Sequence, residues 1–164
     1  MATTTRAQKE ALPFRRVTPT RRGQRPAVAL GRLNGHLGYF VRRAQIWIFQ
    51  DFIRTLARID ISPAQFSVLI VIGANHGLSQ IEIAAALGIE RARLVRLLHR
   101  LESRALIRRL PSSADRRRHA LQLTPHGRTV LALAKTLAAR HEKRLINKLG
   151  AEHHQFLLDT LRDF

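Results

Sequence analysis

A mostly α-helical domain carrying one short β-hairpin is the fold class this chain predicts, and three observations carry the prediction. Apolar residues recur at three- and four-residue steps over most of the length, and helix-start signatures occur at Ser62 and Ser79. Two short stretches, "LIRRLP" and "HALQLT", switch to alternation instead. The 164 residues are 45% hydrophobic with only one Trp, one Tyr and seven Phe, so the core must be mostly Leu, Ile, Val and Ala. That mix favours helices over a β-sandwich.

Residues 1–33 hold eight basic residues and one acidic one, with Pro13, Pro19 and Pro26 spaced through them. They predict a flexible basic arm, suited either to grazing DNA phosphates or to solubilising the chain. The domain proper is expected over residues 34–164. From Asn34 to Arg58, Leu37, Phe40, Val41, Ala44, Ile48, Phe52, Ile53 and Leu56 recur at helical spacing. Ser62 as N-cap, Pro63 at the first helical position and Gln65 at the third form a capping box, so a second helix runs from Pro63 to about Ala74. Ser79 and Glu82 repeat the box and open a short helix, with Ile81, Ala84, Ala85 and Leu87 expected inward and Gly88 supplying the turn after it. In "ERARLVRLLHRLESRAL", Leu94, Leu97, Leu98 and Leu101 share one face while Arg91, Arg93, Arg96 and Arg100 point elsewhere. Arg100 and Arg104 are expected to pair with Glu102 or its surroundings. Two short helices joined by a glycine turn, the second studded with arginine, match a helix-turn-helix.

The two alternating stretches then predict an antiparallel pair, with "SSADRRR" as its loop, the wing of a winged helix. Thr124 caps and Pro125 opens a further helix, whose Val130, Leu131, Leu133, Leu137, Leu145, Ile146 and Leu149 continue an apolar stripe to Gly150. A last segment, Ala151 to Phe164, presents Phe156, Leu157, Leu161 and Phe164. The expected fold is a mostly α winged helix-turn-helix with a two-stranded wing and flanking dimerisation helices. Those outer helices carry more apolar surface than one small core covers, a surplus suited to an obligate homodimer burying upward of about 2,000 Å².

There are 29 Lys and Arg against 11 Asp and Glu, a formal net charge of +18. Arginine dominates the excess, and its planar fork suits phosphates and guanine edges, so double-stranded DNA is the expected partner. Residues 91–118 alone hold ten basic positions and two acidic ones. The absence of cysteine excludes disulfides, Cys-based zinc sites and thiol chemistry. No apolar signal core is seen, and "YFVRRAQIWIFQDFIRTL" is broken by Arg42, Arg43, Asp51 and Arg54, so a cytoplasmic location without a membrane partner is expected. No G-x-G-x-x-G, P-loop, G-x-S-x-G or H-E-x-x-H is found, which argues against an enzyme. His153 and His154 diverge on a helix, so neither a metal nor a bound cofactor is expected.

In "DRRRHALQLTPHG", the spacing of Asp115 and Arg117 before Leu123, Thr124 and Gly127 resembles the D-x-R…L-T-x-x-G wing signature of the MarR family of bacterial transcription regulators. The likeness extends over roughly residues 35–162, including "LGIERARLVRLLHRLESRALIRR". It implies a homodimer on a pseudo-palindromic operator, with recognition helices in successive major grooves and wings at flanking minor grooves. Carried onto this sequence, the DNA-binding candidates are Ser79, Gln80, Arg91, Arg93 and Arg96, with Asp115, Arg116, Arg117 and Arg118 in the wing. Arg93 and Arg96 lie one turn apart and suit the groove, and Arg91 at the helix start suits a phosphate. Asp115 is expected to orient Arg117 or Arg118 while the other arginines reach DNA.

The likeness also implies a small-molecule effector. Tyr39, Phe40, Trp47, Phe49 and Phe52 gather around Arg42 and Arg43, a stripe that suits either packing or an aromatic ligand with an anionic tail. The run "LGYFVRRAQIWIFQDFIRTL", continued by "SPAQFSVLIVIGANHGLSQIEIAAALGIERARLVRLL", resembles the branch of the family that represses aromatic-acid catabolism and is released by an aromatic acyl-CoA thioester of the p-coumaroyl type. The effector-binding candidates are Tyr39, Arg42, Arg43, Trp47 and Phe66, for an aromatic acyl-CoA or aromatic acid. The expected function is a ligand-responsive, sequence-specific repressor, and the rival reading is a non-specific architectural DNA-binding protein.

Overall fold

Side-chain caps start three of the helices, and each sits where the sequence spacing puts it. Ser62 accepts from Gln65 N at 3.2 Å while Ser62 N donates to Gln65 Oε1 at 2.9 Å, which opens α2 (Pro63–Ala74). Ser79 and Glu82 make the same reciprocal pair at the start of α3 (Gln80–Leu87), and Thr124 Oγ1 accepts from Gly127 N at 2.8 Å to open α5 (Pro125–Leu149). Each cap satisfies a backbone donor that the first helical turn leaves without a partner, typically worth about 1 kcal/mol.

The computed structural model describes residues 28–75, 77–111 and 119–163, with His119 described by its backbone alone. The expected arm therefore lies almost wholly outside the described residues, as does the wing loop. Residues Leu37–Phe164 cluster as one unit separate from the residues before it. Its first helix, α1, spans Leu37–Leu56, shorter at both ends than the apolar spacing predicts. Gly31–Gly35 form a 3-10 turn that ends at an extended His36, and Ala57–Ile59 form another that ends at Asp60 in the left-handed region, with φ of 49°.

α3 leads through Gly88, at φ of 58°, into α4 (Arg91–Ser103), a change of direction that a glycine makes without strain. Strands β1 (Ile107–Pro111) and β2 (His119–Leu123) then pair antiparallel, Ile107 opposite Leu123 and Pro111 opposite His119. Leu121 N donates to Leu78 O at 2.9 Å, which sews the hairpin to the segment before α3. After α5, Gly150 separates off α6 (Ala151–Arg162).

The core is aliphatic, as the composition requires. Leu56, Val68, Leu69, Ile83, Leu94, Leu98, Leu101, Leu106 and Leu121 are buried, with Leu131, Ala134 and Leu137 packing from α5. On α3 the inward residue is Ile83, and Ile81 and Ala85 are exposed. The short helix is apolar nearly all round, so periodicity could not choose its face, and docking against α4 and α2 does so instead. On α5, Leu133 and Leu149 are likewise exposed, and Ala134 and His141 occupy buried positions that the expected stripe left out.

Gly127 explains the glycine of the L-T-x-x-G motif. A Cβ built there would lie 1.9 Å from Leu106 O, so α5 can meet the start of β1 only without a side chain at this position. Gly127→Ala is expected to destabilise the fold by about 3 kcal/mol, because backbone rather than a flexible side chain must move. Gly38→Ala, which meets nothing within 4 Å, should be neutral or slightly stabilising. Urea unfolding of both variants checks this, and equal midpoints would show that the α5–β1 approach relaxes freely.

Candidate nucleic-acid interface

α4 is amphipathic in a way that separates packing from charge. Leu94, Leu98 and Leu101 are buried and Leu97 is half-buried, and Arg91, Arg93, Arg96 and Arg100 are exposed. At 100° per residue, Arg93, Arg96 and Arg100 fall within about 60° of one another, a single edge of positive charge, and Arg91 stands on the opposite flank in the first turn. Among the described residues none of the four side chains makes a hydrogen bond or ion pair.

Arg100 joins this edge instead of pairing with Glu102. Glu102 takes Arg109 Nε at 3.1 Å from the first wing strand, and Arg104 turns the other way, donating to Ile59 O at 2.9 Å and to Asp60 O. Both departures arise from strand and loop groups that only the tertiary fold brings within reach. Sequence reading also passed over Val95, which is 43% exposed on the flank of the helix that carries Arg91. An apolar side chain there can contact a thymine methyl, and its signal was its position outside the leucine stripe.

Gln80 stands half-buried at the first position of α3, and Ser79 is buried behind it. The Ser79 hydroxyl donates to Glu82 Oε2 at 2.6 Å, so it serves the cap that positions Gln80. In the wing, Arg108 reaches across the hairpin to Gln122 Oε1 at 2.9 and 2.6 Å. Asp115, Arg116, Arg117 and Arg118 lie outside the described residues.

The effector candidates do not converge on one site. Tyr39 packs edge-on to Phe40 at 5.3 Å with Arg43 5.8 Å from its ring centroid, and Arg42 is exposed. Trp47 instead lies under Lys148 Nζ at 4.8 Å, and Phe66 meets Phe52 at 5.4 Å with its ring tilted by 60°, against the core. Two adjoining clefts open elsewhere, between the end of α1, the start of α2 and α4. One of about 410 Å³ is lined by Phe49, Ile53, Pro63 and the Arg93, Arg96, Arg100 edge. The other, of about 550 Å³, takes in Gln65, Asp60, Arg100 and Arg104.

The sequence profile of the MarR family matches residues 59–118. The chain is 34% identical over 133 residues to a protein of Thauera aromatica assigned as the transcriptional regulatory protein for the hcr operon, covering 80% of each. The chain belongs to the MarR family. Among solved structures, the transcriptional repressor CouR bound to a 23-mer DNA duplex superposes with a TM-score of 0.80 at 46% identity, covering 84% of this chain and 97% of that one. CouR bound to p-coumaroyl-CoA gives 0.77 at 44% identity, covering 83% and 96%.

In this MarR-family chain the helices outside the winged helix are joined by a polar group that runs from a buried histidine to an exposed arginine. Asp51 of α1 accepts His141 Nδ1 at 2.7 Å and Arg144 Nε and Nη2 at 3.0 and 2.8 Å, all from α5. His141 is 3% exposed and packs edge-on to Phe52 at 5.3 Å. Among the described residues no cluster of three or more His, Asp or Glu could hold a metal ion. The His141 hydrogen bond holds the Asp51 carboxyl below its ordinary pKa; partial burial opposes this, and Arg144 adds to it. The group's stabilisation is therefore complete above about pH 4, the unfolded value, and is lost as pH falls through the lower folded value. Asp51→Asn should cost about 1–3 kcal/mol at pH 7 and progressively less at a pH below 4, as read by denaturant midpoints. An equal loss at both would mean that shape rather than charge makes the contribution.

Proposed function

We propose that this chain is a ligand-responsive, sequence-specific transcriptional repressor that binds a pseudo-palindromic DNA operator as a homodimer and controls aromatic-acid catabolism. The observation that carries this reading is the arginine edge of α4, exposed and without partners among the described residues, on a chain 46% identical to a repressor solved on DNA. Arg93 and Arg96 read guanine edges, Val95 meets a thymine methyl, Arg91 holds a phosphate, and the cap at Ser79 fixes Gln80 at the major groove. Asp115 orders the wing, and Arg116, Arg117 and Arg118 supply its minor-groove contacts.

Dimerisation is supported by apolar surface that the single chain leaves bare. Leu37, Phe40 and Val41 on α1 and Phe156, Leu157 and Leu161 on α6 are all at least 41% exposed. Relatives are transcriptional regulators, and an aromatic acyl-CoA or aromatic acid acts here as an effector rather than a substrate. The aromatic and basic residues of α1, Tyr39, Arg42, Arg43 and Trp47, contact that effector together with the arginine-lined clefts. Phosphates of coenzyme A suit guanidinium partners, and CouR was solved with such a thioester.

Titration against a selected palindromic site and scrambled duplex separates this reading from an architectural role. A preference of at least about a thousandfold is expected, and equal affinity for both would sink the repressor. Arg93→Ala should relax base preference at one position per half-site, costing about 1–3 kcal/mol there. A uniform loss on all sequences would show that Arg93 touches only backbone.

A further inference from the structure

Arg104 closes the end of α4, and its side chain leaves that helix altogether. The guanidinium donates to Ile59 O at 2.9 Å and to Asp60 O, with the Asp60 carboxylate 3.5 Å away. Those carbonyls end the helical run of α1 and its 3-10 extension, where the backbone leaves acceptors without partners and the dipole is negative. One cation from the groove-reading helix thus caps the helix whose other end carries the bare apolar surface. The same guanidinium lines the larger cleft, 32% exposed, beside Arg100, Ser103 and Gln65.

We propose that Arg104 is a positioning residue, a latch that fixes the angle of α4 to α1 and so sets the half-site spacing that the dimer accepts. An anionic group entering the cleft competes with the Ile59 and Asp60 carbonyls for this guanidinium, which unlatches α4. This rests on the repressor reading above. A guanidinium can exchange a pair of carbonyls for a carboxylate or phosphate without rebuilding the apolar core, because Arg104 and its partner Asp60 line the cleft wall.

The test uses the full chain with Arg104→Gln, Arg104→Lys and Asp60→Asn, on the selected operator, on the same half-sites moved one base pair apart or together, and on a single half-site. Arg104→Gln should lower discrimination between spacings by at least about fivefold, within the range of allosteric couplings, with single half-site affinity unchanged. Its operator complex should also lose response to p-coumaroyl-CoA, tested against coenzyme A alone. Arg104→Lys should restore part of the spacing preference, and Asp60→Asn should leave it intact because the carbonyls persist. Weakening of Arg104→Gln by one factor on all three duplexes, or unchanged spacing preference, overturns the latch. If Arg104→Gln does not fold, Arg104→Lys decides: a spacing preference and response reduced from the wild-type values at full half-site affinity would support the latch, and wild-type values for both would overturn it. A wild-type chain without any operator preference would sink the repressor reading itself, a separate and recognisable failure.

Discussion

Thr124 Oγ1 donates to Ala105 O at 2.6 Å while accepting from Gly127 N, and Thr124 N donates to Leu106 O at 3.1 Å. One hydroxyl therefore ties together the end of α4, the start of β1, the end of β2 and the start of α5. Ala105 sits there at φ of 52°, a conformation that costs an alanine about 1–2 kcal/mol, and it is held by Leu106 N bonding back to Leu101 O at 2.9 Å. The close seat of Gly127 on Leu106 leaves no slack. The exit of α4, the two wing strands and the start of α5 are therefore joined at one point, and any adjustment of α4 pivots there and has to come from its other contacts.

Local chemistry is what the sequence states most clearly. Ser62, Ser79 and Thr124 each find their cap partner three residues on, and alternation in "LIRRLP" and "HALQLT" becomes a paired hairpin with both leucines of the second stretch buried. Contacts across the chain are silent in such patterns. Nothing local marks Asp51 as the acceptor for His141, 90 residues on, or sends Arg104 back 45 residues to Ile59. The inward face of α3 was equally undetermined, since alanines and isoleucines surround that helix and packing alone selects Ile83. The site was legible as a set of arginines on one helix, but which of them the fold consumes was not.

That consumption sorts the positive charge. Arg104, Arg108, Arg109, Arg128 and Arg144 each donate to an acceptor within the chain, three of them to backbone carbonyls. Among the described residues the side chains of Arg93, Arg96 and Arg100 do not, and side by side on an exposed edge they repel one another through water. A Debye length of about 8 Å at physiological salt screens charges across the molecule but not neighbours on one helix face. An anion laid along that edge removes the repulsion and releases its own counterions, so affinity for a polyanion is concentrated along the exposed edge of α4.

α1 is gripped twice, at Asp51 from α5 and at its last carbonyls from α4, and the two grips differ in kind. The first is sheltered, with a nearly buried histidine and an aromatic ring against it, so it fixes α1 to the longest helix. The second stands at the wall of an open cleft, where a ligand can reach it. Changing operator affinity a hundredfold requires about 2.7 kcal/mol of coupling. A hydrogen bond to a charged group contributes about 1.5–3 kcal/mol. One guanidinium exchanging its acceptors is therefore of the size needed, and the aliphatic packing of α4 on α2 and α3 can stay closed while it does so.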